Sequence, residues 1–342
     1  MLDSPPSNPV SGGARDLPGE DGRPANVFRV RPVALVAAVL CMVGGVALYL
    51  VFVRTTRGQL FDQAASIGAR RRNFTPDGYT KSRTLERTEW LLDSVRSVFL
   101  AAVALAVTVV GIHARRARLT AALGVGVLVS IGTARLIKVG LPMRSHVSGN
   151  GYRWLSENTF PSGHAAASMA VALAAVALYR STRNQWSLLT IPYAFAIGTA
   201  TVVARWHQPS DVLASYLLVG ACTFVALGLS ASTEDRFVVD RRQWQLLFGS
   251  LSLACAALAA TGYGLFRADP LDLAVRVTDG VPEWVLVPLS PGKAFAVFAF
   301  SSTAMCAVLT VVVMSLSPGR SNGPNSGIGP KTDNRARLGH YR

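Results

Sequence analysis

Two histidines carry the chemistry this sequence can support. His164 closes the run Pro161-Ser162-Gly163-His164, and His207 stands four residues before Asp211 in Arg205-Trp206-His207-Gln208-Pro209-Ser210-Asp211. In the first run Pro suits the opening of a helix, and a Ser hydroxyl caps free backbone N–H groups. Gly lets a ligand approach the backbone closely. A helix N-terminus favours an anion, so a phosphate bound there has His164 beside it in the first turn. In the second run Gln208-Pro209 breaks the preceding helix, because the residue before Pro avoids the α region. The chain therefore turns, and Asp211 caps the next helix while facing back toward His207. A carboxylate on one imidazole nitrogen fixes the tautomer and leaves the other nitrogen free to attack.

A third segment adds cations. Lys138-Val139-Gly140-Leu141-Pro142-Met143-Arg144 places Lys138 and Arg144 at the end of an apolar run. Removing phosphate requires stabilisation of charge on its equatorial oxygens, and without a metal that falls to Arg, Lys and backbone N–H donors. The chain shows no acidic cluster suited to Mg²⁺.

The elements that must position these residues are membrane spans. Of 342 residues 50% are hydrophobic and only 15% charged, against roughly a quarter charged in soluble domains. Eight apolar runs are long enough, or nearly so, to cross about 30 Å of hydrocarbon: Val33–Val53, Val95–His113, Leu119–Ile137, Gly163–Tyr179, Leu188–Val203, Val212–Leu229, Leu246–Phe266 and Ala294–Leu316. The expectation is an all-α polytopic membrane protein of about eight transmembrane helices. Residues 1–31, rich in Pro, Gly, Ser and Asp, read as a disordered tail. Residues 32–231 form the core, 232–316 an additional two-helix segment and 317–342 a second disordered tail. The first apolar run is too long for a signal peptide and reads as an anchor.

The net charge of +15 does not indicate nucleic acid. The basic residues lie between apolar runs and in the tails, with no nucleic-acid-binding motif, which is the pattern of loop charges facing anionic lipid. Cys41, Cys222, Cys255 and Cys306 all fall inside apolar runs and read as small buried hydrophobes.

Parity brings the three chemical segments together. Span three ends on one face, span four begins there, and spans four and five form a hairpin returning to it. The basic loops Arg115-Arg116-Ala117-Arg118, Arg180 to Arg183, and Arg236 to Arg242 lie on the opposite face. The positive-inside rule makes that face cytoplasmic, with both termini, and puts the site outside. The loop from Arg54 to Asp93, with Arg70-Arg71-Arg72, runs against the rule. Within it Leu60–Ala69 and Leu85–Val95 have apolar residues at helical spacing and read as interfacial helices.

Together the three segments resemble the signature of the type-2 phosphatidic acid phosphatase superfamily: a Lys with an Arg-Pro, then Pro-Ser-Gly-His, then Ser-Arg followed by His and, four residues on, Asp. Pro161-Ser162-Gly163-His164 matches completely, and His207 with Asp211 matches in spacing. The resemblance covers Lys138 to Leu229 and implies a six-helix core. It implies that His207 is the nucleophile that becomes phosphorylated and that Asp211 orients it. His164 then protonates the leaving oxygen, while Lys138, Arg144, Ser162 and the Gly163 backbone hold the phosphate. The resemblance implies no metal and no other cofactor, and the lack of an acidic cluster agrees with it. Two departures stand. Five residues rather than six separate Lys138 from Arg144, and Ser145 follows it. The family's Ser-Arg falls on Ala200-Thr201, and an arginine occurs instead at Arg205; if the helix continues, Arg205 shares a face with position 201. The implied function is a metal-independent lipid-phosphate phosphatase of the plasma membrane, acting on phosphatidic acid, phosphatidylglycerol phosphate or a polyprenyl pyrophosphate. The alternatives are a phosphotransferase to an alcohol, and a catalytically inactive membrane protein that binds a lipid phosphate.

Overall fold

The computed structural model describes residues 26–70, 117–141, 159–179, 183–204, 206–231, 236–239, 241–267 and 290–317, with helical residues at 87–90, 92 and 109 as well. A strand β1 (Asn26–Arg29) leads into α1 (Val30–Leu48), which continues through a π-helical turn over Tyr49–Val53. The helices α2 (Thr56–Arg70), α3 (Ala117–Gly140), α4 (Gly163–Leu178), α5 (Arg183–Val203) and α6 (Pro209–Ser230) follow. A second strand β2 (Arg236–Val239) precedes α7 (Arg241–Arg267) and α8 (Pro291–Leu316).

Five of these segments are long and apolar enough to cross a membrane: Val30–Val53, Ala117–Gly140, Pro209–Ser230, Trp244–Leu265 and Pro291–Leu316. Shorter apolar helices occupy Gly163–Leu178 and Ile191–Val203. The protein is a predominantly helical integral membrane protein, with β1 and β2 forming one short two-stranded ribbon. The span expected over Val95–His113 lies outside the described residues except for Val109. α4, with 16 residues, rises about 24 Å, less than the hydrocarbon thickness. Its buried Ala-rich surface meets other helices instead of lipid, so its length need not match the bilayer.

α6 is the central helix, buried along almost its whole length and flanked by α1, α3, α4 and α8. Between apolar helices in lipid, small residues allow the close backbone approach from which van der Waals packing gains. On α6, Gly228 faces Ala34 of α1 and Gly220 faces Cys41, while Gly44 of α1 faces Leu217. This order of contacts runs α1 antiparallel to α6. A Cβ on Gly126 of α3 would lie 3.2 Å from the Cys222 carbonyl oxygen of α6.

Three expectations are corrected. Residues Asn26–Arg29, assigned to the disordered tail, form a strand paired antiparallel with Arg236–Val239. Backbone pairing supplies the order that the tail's own composition does not. Second, α2 contains the Leu60–Ala69 stretch read as interfacial, yet Leu60, Phe61, Ala64 and Ala65 are buried on one side, and Gln59, Asp62 and Ser66 are buried as well. A Cβ on Gly68 would meet the Pro291 carbonyl oxygen, so α2 crosses the start of α8 in direct backbone contact. α2 is thus packed into the bundle against α8. Third, the condition on which Arg205 was compared with position 201, a continuing helix, is not met by the described residues: α5 ends at Val203, and the N–H groups of Trp206 and His207 turn back to the Thr201 carbonyl at 3.0 and 3.3 Å.

Candidate active site

The site is assembled from the N-termini of α4 and α6 and the C-terminus of α3. Ser162 caps α4, its hydroxyl accepting the Ala165 N–H at 3.3 Å. Its own N–H donates to the Asp211 carbonyl at 3.1 Å, tying the two helix starts together. The Ser215 hydroxyl, one turn into α6, lies 2.6 Å from the Asp211 carbonyl and 2.8 Å from the Ser162 carbonyl. An apolar cluster of Val53, Phe160 and Ala214, with Tyr49 and Ile137 against it, adds α1 and α3 to the same end. The residue after Ile137 is Lys138, in the last turn of α3, where a cation is favoured by the helix dipole. Asp211 attracts Lys138 electrostatically and Arg135 repels it.

Asp211 is fully buried. Its Oδ2 accepts the Thr159 hydroxyl at 2.6 Å and the Gln208 N–H at 2.9 Å, and lies 3.5 Å from His207 Nδ1. Hydrogen bonds to an ionised acceptor contribute roughly 1.5–3 kcal/mol each, which holds this carboxylate in place against rotation. The His207 contact is longer than a normal N–H···O bond, and His207 Nδ1 is buried with no hydrogen-bond partner. Catalytic hydrogen bonds are commonly long without substrate and tighten when it binds. With Nδ1 turned toward Asp211, Nε2 is the nitrogen left for chemistry.

His164 is half-buried in the first turn of α4, its ring 5.2 Å from that of Trp206. Trp206 directly precedes His207, so this aromatic contact places the α5–α6 turn against the start of α4. Gly163 is exposed, and a Cβ built there meets no atom within 4 Å. Protein packing alone does not require glycine at that position. Ala200 and Thr201, where the resemblance expects Ser-Arg, are buried, and the Thr201 hydroxyl donates to the Gly198 carbonyl at 2.7 Å. Arg144 and Arg205 lie outside the described residues. The structure thus brings Lys138, Ser162, Gly163, His164, His207 and Asp211 to one end of the bundle.

Sequence reasoning missed Asp62, Ser66, Thr159, Trp206, Gln208 and Ser215. Trp206 and Gln208 flank His207, and Thr159 stands just before the Pro-Ser-Gly-His run, so proximity to a motif was their only signal. Asp62 and Ser66 lie on α2, far away in sequence. Asp62 accepts the Ser210 N–H through Oδ1 at 3.0 Å and the Ser210 hydroxyl through Oδ2. Ser66 donates to Gln208 Oε1 at 2.6 Å.

No curated protein and no solved structure matches this chain at a significant level. A family model does, and it covers α3 to α6, the helices that carry both histidines. That model is the PAP2 superfamily, it matches residues 117–234 of this integral membrane protein, and it is the superfamily whose signature the three segments resemble.

Proposed function

We propose that this protein is a lipid-phosphate phosphatase that acts through a phosphohistidine at His207 and requires no metal. The observation that carries the reading is the placement of His207 Nδ1 opposite the buried Asp211 carboxylate, within a turn hydrogen-bonded to the Ser162 cap that precedes His164.

In the first step His207 Nε2 attacks phosphorus, forming a P–N bond as the P–O bond to the lipid breaks. His164 donates a proton to the departing oxygen, so the lipid leaves as a neutral alcohol, or as a lipid monophosphate from a pyrophosphate. In the second step water attacks phosphorus, His164 takes a proton from it, and the P–N bond breaks to release phosphate and regenerate His207. Asp211 holds the imidazole orientation and stabilises its positive charge in both steps. Lys138, Arg144, Ser162, the Gly163 backbone and Arg205 bind the phosphate oxygens, with the start of α4 supplying its positive dipole end.

The site faces outward and both termini are cytoplasmic, at the plasma membrane. Supporting this, α4 and α6 both start at the histidine end, and Arg183, Arg236 and Arg241 follow their opposite ends. The substrate class is phosphatidic acid, phosphatidylglycerol phosphate or a polyprenyl pyrophosphate, the headgroup entering the polar end and the tail lying between helices.

Phosphate release by the purified protein across a panel of lipid phosphates, with excess chelator present, tests the reading. Turnover in chelator is expected. Activity lost in chelator and restored by Mg²⁺ overturns the metal-independent mechanism, and transfer to an added alcohol in preference to water makes the protein a phosphotransferase. Burial of Thr201 where the family carries arginine favours one further reading, an inactive lipid-phosphate binder. Binding without turnover for every substrate in the panel would establish it.

A further inference from the structure

We propose that Asp62, on a helix outside the segment matching the family, is a positioning residue for the His207 nucleophile. The inference rests on the function proposed above. Gln59, Asp62 and Ser66 recur at helical spacing on α2, and all three are buried. Gln59 donates to the Val53 carbonyl at 2.7 Å, while Asp62 and Ser66 meet the first turn of α6. Ser66 donates to Gln208 Oε1 at 2.6 Å on one side of Pro209, and Asp62 takes both the N–H and the hydroxyl of Ser210 on the other. The residues next beyond this two-point grip are His207 and Asp211.

The grip acts where the local chain is least able to hold itself. Pro209 has no N–H to donate, and the first N–H groups of a helix lack intrahelical acceptors. The Ser210 N–H is satisfied from another helix, by a carboxylate that the helix N-terminus also favours. Asp211 Oδ2 is shared between Thr159, the Gln208 N–H and the His207 side. A small rotation of this turn would therefore move the carboxylate off His207 Nδ1. α2 is itself seated on α8 at Gly68, so α8 supports the site through Asp62.

The test uses the purified full-length protein and follows kcat, KM, thermal melting and the rate of phosphoenzyme formation. Two substrates are compared, one with a good and one with a poor leaving group. Misplacement of a catalytic group by about 1 Å costs up to about a hundredfold, so Asp62→Ala is expected to lower kcat by roughly tenfold to a hundredfold with KM unchanged. The loss is equal for both substrates, because nucleophile alignment and not leaving-group protonation is affected. Asp62→Asn, which can still accept the Ser210 N–H and donate to its hydroxyl, restores most of the rate. If Asp62→Ala does not fold, Ser210→Ala removes one of the two contacts and is expected to lower kcat severalfold at constant KM. An altered melting temperature with kcat per folded molecule within twofold of wild type, in whichever of these variants folds, overturns the proposal. The wild-type protein is assayed first: absence of phosphate on its His207 refutes the parent function, whereas normal phosphorylation in both wild type and Asp62→Ala refutes this inference alone.

Discussion

The backbone N–H of Ser162 donates to the carbonyl oxygen of Asp211 over 3.1 Å, joining the start of α4 to the first turn of α6. The residue two beyond Ser162 is His164, and the residue four before Asp211 is His207, so one hydrogen bond between main chains relates the two histidines. The Ser215 hydroxyl lies within hydrogen-bonding distance of both carbonyls. Ser215→Ala leaves these buried oxygens with fewer donors, at a cost of about 1–3 kcal/mol. A lower melting temperature, with kcat reduced in the protein that remains folded, is expected. Unchanged melting and turnover would show that the Ser162–Asp211 bond holds the helix starts unaided.

The two histidines should fail differently. His207→Ala removes the phosphate acceptor, so no acid-labile phosphate is trapped on the protein. His164→Ala still accumulates phosphoenzyme from a substrate with a good leaving group, which needs little protonation. Phosphate trapped on His207→Ala protein would remove His207 from the nucleophile role.

Thr201 and Arg205 form a second contrast. α5 ends at Val203 and Arg205 lies outside the described residues, so the two positions are tested separately. Thr201 is fully buried, and an arginine there brings an unpaired charge into the bundle. Thr201→Arg is therefore expected to lower melting temperature and folded yield without rescuing Arg205→Ala. If Arg205 contacts the phosphate, Arg205→Ala lowers kcat/KM about tenfold to a hundredfold, matching roughly 1.5–3 kcal/mol for a hydrogen bond to a charged group. A silent Arg205→Ala removes that residue from the site.

Helix contact near the site can be tested at Gly198. A Cβ there would lie 2.2 Å from Tyr216 Oη and 2.7 Å from Val212 Cγ1. Tyr216 is fully buried and its hydroxyl donates to the Ala194 carbonyl at 2.6 Å, so it cannot move aside without breaking that bond. Gly198→Ala should destabilise the protein by about 1–3 kcal/mol, read as a lower thermal midpoint in detergent. A wild-type midpoint would show that α5 and α6 can separate freely.

Orientation is testable by single cysteines at Ser148 and Ala231 in a background lacking the four native thiols. An impermeant reagent applied to intact cells is expected to label position 148 and not 231. Equal labelling from outside would overturn the proposed orientation.

The helices were legible because hydropathy is a local property: a run of apolar residues must be helical in lipid, where backbone groups cannot be left unsatisfied. Val33–Val53, Leu119–Ile137 and Ala294–Leu316 each fall within observed helices for that reason. The placement of His164 and Asp211 in the first turns of helices was legible because Ser162 and Pro209 mark those helix starts. The spacing alone did not reveal where α5 stops, since that depends on Trp206 and His207 turning back to one carbonyl. The place of α2 was equally hidden. Its periodicity fits an interfacial helix and a buried one alike, and only contact with α8 and α6 selects between them. For the same reason Asp62 reads in sequence as an ordinary carboxylate on an interfacial helix: its partner Ser210 lies 148 positions away, and no local pattern encodes a contact made through tertiary packing.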